Sequence, residues 1–191
     1  MFIRSERLFL RPAWAEDATD LHAAIADERV VRNLVRAPWP YAVEDARAFV
    51  ERPQDRRFPS LLINLPTAGG SHLIGGIGLH DEAGKAHLGY WLTPELWGRG
   101  FATEAASALL RVAGTLGHAE IGAHHFVDNP GSGRVLEKLG FRRIGQAAER
   151  HSLGRACARP SFTYLLRLDG TSNCDGDPPP AGDWDMGRRA A

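Results

Sequence analysis

The chain has 191 residues, 43% of them hydrophobic, a size and composition suited to one globular domain with its own core. Lys+Arg and Asp+Glu both number 23, so no global charge draws the protein to nucleic acid or to a membrane surface. The two cysteines, Cys157 and Cys174, make neither a disulfide framework nor a metal motif, and no stretch is apolar enough to span a bilayer.

The opening, MFIRSERLFLRP, has no signal-peptide pattern, so a cytoplasmic protein is expected. Within it, Arg7–Pro12 alternates like a strand. Glu16–Asp27 has helical periodicity, with Ala18, Leu21, Ala24 and Ile25 on one side, and Val43–Arg52 is a second helix after the turn-rich APWPYA. Three strand-like runs follow, Ser60–Leu65, His72–His80 and Ala86–Leu92, joined by the hairpin-type links PTAGG and DEAGK. A helix over Ala102–Leu116 groups Ala102, Ala106, Leu109, Leu110 and Ala113, with Gly117 to end it. Glu120–Phe126 reads as a strand and Asn129–Phe141 as a short helix: Asn129 as N-cap, Pro130 at the first position, Gly140 beyond the end and Phe141 packing back on Leu136. FRRIGQA and SFTYLLRL are the last strands. The pattern predicts an α+β (mixed α/β) domain over residues 1–168, with a mixed, mainly antiparallel sheet of about seven strands and helices on both faces.

At Asp169 periodicity stops and Gly, Pro and Asp take over. Residues 169–191, with five Asp and two Arg, are expected to form a disordered tail in which Trp184 is the one anchor. The body then holds 21 basic and 18 acidic groups, a mild +3 that suits an anionic ligand.

The stretch WGRGFATEA, Trp97–Ala105, sets two glycines against a helix start. The first N–H groups of a helix lack internal partners and its dipole favours anions, so such a turn can cradle a phosphate. Gly98 and Gly100 would let successive N–H groups converge, with Arg99 as a charged donor. The stretch is neither a P-loop, because no Lys follows Gly100, nor a full dinucleotide fingerprint, because Thr103 holds the third glycine position. A plain turn is the alternative.

Three segments together resemble the GNAT superfamily of acyl-CoA-dependent N-acyltransferases, and within it the ribosomal-protein N-terminal acetyltransferase branch. SERLFLRP is similar to that branch's opening strand, GYWLTPELWGRGFATEA to its central strand and acetyl-CoA loop, and NPGSGRVLEKLGF to its second cofactor-contacting segment. The resemblance implies a GNAT-like fold and a cytoplasmic enzyme, monomer or homodimer, that moves acetyl from acetyl-CoA to a primary amine without a metal. It implies that Gly98, Arg99, Gly100, Phe101, Ala102 and Thr103 hold the pyrophosphate, and that Trp97 stands where the loop usually starts with Gln or Arg. Acyl-pantetheine would lie along Tyr90, Trp91 and Leu92, in a gap where this strand splays from Glu120–Phe126. Gly89 suits a bulge or close backbone approach there, or is a plain strand glycine.

Amine acetylation needs a neutral amine, a polarised carbonyl and a proton for the departing thiolate. His87 is the candidate base, at a position where relatives often carry Glu; a strand histidine bonded to a neighbour is the alternative. Glu149 and His151 stand in reserve. The superfamily's helix tyrosine aligns with Leu136, so Ser132 is the candidate for serving the sulfur, and Asn129 either contacts pantetheine or simply caps its helix. His124 and His125 face opposite ways on one strand and make no shared metal site. Arg29, Arg32 and Arg36 read as a solvated face. The loop with Trp39, Pro40 and Tyr41, and residues 151–160, would wall the acceptor pocket. A protein N-terminus, such as that of a ribosomal protein, is the first expected acceptor, and a small amine, amino acid or aminoglycoside-like compound the second. A non-catalytic acyl-CoA sensor and a nucleotide-binding domain are the rivals.

Overall fold

Leu61, Leu62 and Ile63 are all buried, which consecutive strand residues achieve only when both faces of the sheet are covered. The computed structural model describes residues 1–168. The expected tail, with Cys174 and Trp184, lies outside the described residues. Leu61–Ile63 belong to β3 (Ser60–Thr67), preceded by β1 (Ile3–Arg4) and β2 (Phe9–Arg11) and followed by β4 (Gly70–Glu82) and β5 (Lys85–Leu92). Then come β6 (Glu120–Phe126), β7 (Arg142–Ser152) and β8 (Cys157–Arg167). They form one sheet in the order β1-β2-β3-β4-β5-β6-β8-β7, antiparallel throughout except between β5 and β6. The eighth strand, beyond the seven expected, is β1, two residues long and too short to show alternation.

On one face, α1 (Ala18–Ile25), α2 (Glu28–Val31) and α3 (Val43–Val50) bury Leu21, Ile25, Val31, Ala46 and Val50 with Leu62. On the other, α4 (Phe101–Ala113) and α5 (Pro130–Lys138) bury Ala105, Leu109 and Leu136 with Leu61, Ile63, Leu88 and Ile121. Alanines at Ala105, Ala106, Ala108 and Ala113 line the buried side of α4, which lets its backbone lie close to the sheet. The single turn α2 carries too little periodicity to be read from sequence; Asp27 caps it by accepting the Arg29 N–H.

The ends of α5 are as expected. Asn129 Oδ1 accepts the Ser132 N–H at 3.3 Å, Gly140 takes φ +85°, and Phe141 is buried with its N–H donating to the Leu136 carbonyl at 3.1 Å. The last two strands overrun their expected bounds and meet in a hairpin across Leu153–Arg155. Between β2 and α1 the chain is tied by a buried ion pair. Asp17 receives Arg11 Nη2 at 2.6 Å and Nη1 at 2.7 Å, plus the Trp14 N–H at 2.7 Å.

One feature of the register positions the site. The parallel ladder pairs only Ala86–Leu88 with Ile121–Ala123, so β5 and β6 part beyond Leu88. This is the splay implied by the resemblance.

Candidate active site

The parted strands open into a cavity of about 1300 Å³, larger than most small-molecule pockets. Its wall carries the N-terminus of α4, then Tyr90, Asn129 and Ser132, then His80, Glu82, His124 and Arg150. Tyr41 and Leu153 represent the two expected acceptor segments. Trp39 is 40% exposed.

At the first end, Gly98 and Gly100 have φ of +76° and +82°, the left-handed region that L side chains adopt at a cost. Gly100 is the N-cap of α4 and offers no side chain to the first turn. The N–H groups of Phe101, Ala102 and Thr103 have no carbonyl four residues back within the helix, and they lie at the positive end of its dipole. Arg7 braces the loop: its Nη1 donates to the Arg99 carbonyl at 3.3 Å, its Nε pairs with Glu104 Oε2 at 2.7 Å, and it stacks 4.3 Å above the Phe101 ring. Trp97 uses its indole N–H to hold the Leu92 carbonyl at 2.8 Å, so this position steadies the end of β5.

Midway, the Tyr90 hydroxyl lies 2.8 Å from Ser132 Oγ and donates to the Ser132 carbonyl at 3.1 Å. Burial pushes the Tyr90 pKa up to about 12, so it stays protonated. Asn129 caps α5 through Oδ1, which leaves its amide available to a ligand. Gly89 pairs in regular register with Gly78, without a bulge, and lies exposed on the cavity wall. Leu136, where the superfamily's tyrosine would stand, is fully buried.

At the far end, on the opposite face of β5, three imidazoles gather around one carboxylate. Glu82 Oε2 lies 3.7 Å from His80 Nε2, 3.5 Å from His87 Nδ1 and 4.0 Å from His124 Nδ1, while Oε1 takes Arg150 Nη2 at 2.9 Å. His87 is 9% exposed and sits behind the His80 and His124 rings, with centroids 5.9 Å and 6.0 Å away. Its ring lies flat against Gly122, where a Cβ would fall 2.5 Å from Nε2. Burial and the charge of Arg36 lower the His80 pKa to about 4; burial and Arg150 lower that of His124 to about 3. Burial also lowers His87, so all three rings are neutral near pH 7. Burial would raise the Glu82 pKa, but the Arg150 hydrogen bond outweighs it and the carboxylate stays ionised.

Of this cluster, sequence reasoning singled out only His87. His80 had a local signal: DEAGK closes a two-residue loop, with Glu82 paired to Lys85, which sets His80 directly opposite His87. The reserve residues Glu149 and His151 are exposed on β7, and Arg150 between them reaches the site. His125 faces the other way, towards Tyr164 and Phe162. Arg29 pairs with Asp27 and Arg32 with Asp128 on the surface, while Arg36 lines the cavity. Among the described residues, no helix is long and apolar enough to cross a membrane.

Comparison with known proteins bears on this arrangement. The model of the acetyltransferase (GNAT) domain matches residues 7–142. The chain is 32% identical over 152 residues to the uncharacterized N-acetyltransferase YoaA of Bacillus subtilis (strain 168), spanning 75% of this chain and 84% of that one. Its fold is similar to a GNAT-family acetyltransferase from Bacillus anthracis, at 26% identity and a TM-score of 0.74, over 87% of this chain and 98% of the other. It also shares the fold of RimL, a ribosomal-protein alpha-N-acetyltransferase solved with coenzyme A. There identity is 20% and the TM-score 0.73, over 90% of this chain and all of that one.

Proposed function

The chain belongs to the GNAT acetyltransferase family, and from that premise we propose that it transfers acetyl directly from acetyl-CoA to a primary amine, foremost the N-terminal amine of a protein such as a ribosomal one. One observation carries the reading. The anion cradle at α4, the Tyr90–Ser132 pair and the His80, His124 and Glu82 members of the imidazole–carboxylate cluster line one cavity.

Gly98–Thr103 would receive the pyrophosphate through backbone donors and the helix dipole. Acyl-pantetheine would follow the free edge of β5 along Tyr90, Trp91 and Leu92, beyond the last pairing with β6 at Leu88. Ionised Glu82 would attract the ammonium form of the acceptor. The ammonium proton passes to the imidazole cluster, with His87 as the base and His80 and His124 as the rings on the cavity wall. The neutral amine nitrogen then bonds to the carbonyl carbon, the carbon–sulfur bond breaks, the thiolate takes a proton from Ser132 Oγ, and the second proton shed by the new amide nitrogen returns to the Tyr90–Ser132 hydroxyl pair, which ends as it began. The Tyr90 hydroxyl, 2.8 Å away, can replace that proton. Tyr90 would thus do from β5 what the superfamily's tyrosine does from the helix.

The peptide acceptor is supported by the size of the cavity, whose lining includes Tyr41, Phe49, Trp91, Arg36 and Arg52, and by the likeness to RimL. A free-thiol assay with a panel of peptides, polyamines, amino acids and aminoglycosides tests it. Release with peptides is expected. Release with small amines alone would overturn the acceptor. Binding of coenzyme A without release for any amine would make the protein a sensor.

A further inference from the structure

We propose that His80, His87, His124 and Glu82 form a binding site for a divalent transition-metal ion of the Zn²⁺ kind. Three nitrogens converge on Glu82 Oε2 at 3.5–4.0 Å. That is too long for hydrogen bonds. It is close to the roughly 3.3–3.5 Å that separates donors around a tetrahedral ion with bonds of about 2.0–2.1 Å. The ligand atoms of His80, Glu82 and His87 all lie within 4.8 Å of one another, while His124, with Nδ1 4.0 Å from Glu82 Oε2, stands outside that group and would close in as the fourth ligand.

Burial adds weight to those separations. His87 Nδ1 and His124 Nδ1 are both buried and have no hydrogen-bond partner among the described residues. A buried ring nitrogen without a partner is costly, and a coordinated ion would remove that cost at both. The rings are neutral near pH 7, as imidazole ligands must be. The outer contacts also suit a site. Arg150 holds Glu82 Oε1 and leaves Oε2 facing the nitrogens, and Gly122 gives the His87 ring a flat seat. Three imidazoles and one carboxylate match Zn²⁺, Co²⁺ or Ni²⁺, whereas Mg²⁺ and Ca²⁺ prefer oxygen.

The site does not rest on the transfer reading. If that reading also holds, the ion and the amine's proton compete for the same imidazoles, and the metal-free protein is the active form.

Tag-free full-length protein, stripped with chelator, is titrated with Co²⁺ by visible absorption and then with Zn²⁺ in competition. One equivalent should give the strong bands of four-coordinate Co²⁺, and Zn²⁺ should bleach them. His80→Gln and His124→Gln should each weaken Co²⁺ about a hundredfold or more, beyond the usual ten- to hundredfold for losing an outer partner. His72→Gln, at an exposed histidine on β4, should change nothing. A coenzyme A thermal shift in every variant establishes folding. Folded protein that gives no bands, or bands equally strong in the cluster variants, overturns the site and leaves the transfer reading standing. Absence of thiol release from the stripped protein would overturn transfer and leave the Co²⁺ result intact.

Discussion

Gly122→Ala should displace His87, and the structure fixes how far. The added Cβ would lie 2.5 Å from Nε2, 2.6 Å from Cε1 and 2.9 Å from Cδ2. Ordinary contact is about 3.5–4.0 Å, so the ring must retreat by about 1 Å. Overpacking of this kind costs about 1–3 kcal/mol. Less the roughly 0.5–1 kcal/mol that alanine gains over glycine in a strand, and at roughly 2–4 °C per kcal/mol for a domain of this size, Tm should fall by up to about 10 °C. The backbone contributes no strain, because Gly122 lies outside the left-handed region, and alanine by itself favours a strand over glycine by about 0.5–1 kcal/mol. The loss therefore belongs to the ring. A double-mutant cycle with His87→Ala isolates it: with the imidazole gone, Gly122→Ala should be neutral or stabilising, a coupling of about 1–3 kcal/mol. Urea unfolding of the four proteins measures this. Equal destabilisation with and without the His87 ring would refute the contact. In the transfer assay Gly122→Ala should lower kcat/KM while the coenzyme A thermal shift persists, since the cradle at Gly98–Thr103 is built by the start of α4 and not by β6.

Gly100→Val forces a branched side chain to φ +82° at the cradle, and should abolish the thermal shift with coenzyme A; a retained shift would place the pyrophosphate elsewhere. Tyr90→Phe and Ser132→Ala should each lower kcat with little change in coenzyme A affinity, because their hydroxyls act on the developing thiolate; a matching loss of affinity would make them binding groups only. Asp17→Asn breaks the buried pair with Arg11, whose side chains are 7% and 13% exposed, and should cost about 3–5 kcal/mol in urea unfolding at pH 7. Burial would raise the Asp17 pKa, but the Arg11 and Trp14 hydrogen bonds outweigh it and hold it below the usual carboxylate value. The pair's stabilisation is thus complete above that usual value and is lost as pH falls through the lowered one. The gap between wild type and Asp17→Asn should narrow on acidification, and a constant gap would contradict the assignment. Zn²⁺ at one equivalent should suppress thiol release and chelator should restore it; unaffected turnover at full occupancy would separate the metal site from the base.

The geometry of the proposed cofactor end was legible because its determinants are local. Two glycines, a helix start and a capping asparagine declare themselves within a few residues, and the structure keeps each where the sequence puts it. The cluster was not legible, because it is made by register between distant strands. His80 meets His87 through a hairpin that can be counted, but His124 joins through the parallel pairing of His87 with Gly122, which forms only after the chain has crossed by way of α4. Arg150 arrives from β7, a strand longer than its apolar pattern suggested. Read as a neighbour of His125, His124 gives no metal site. Read as the strand neighbour of Gly122, it gives one, and only the fold supplies that adjacency.

Strand alternation would also let the two proposed proton tasks coexist. His87 and Tyr90 are three residues apart on β5 and therefore project from opposite faces, separated along the strand by about 10 Å. His87 meets His80 and Glu82 on one side, and Tyr90 meets Ser132 of α5 on the other. A base and an acid on the same face would hydrogen-bond each other and satisfy themselves without substrate. Placed on opposite faces, they can communicate only through what lies in the gap beyond Leu88, where β6 has left β5 and Gly89 leaves the backbone bare. Gly122 works the same geometry from the neighbouring strand, since its missing side chain lets the His87 ring lie flat. In the proposed mechanism the chemistry therefore depends less on any one side chain than on the parity of residues 87 and 90 about the point where the sheet opens.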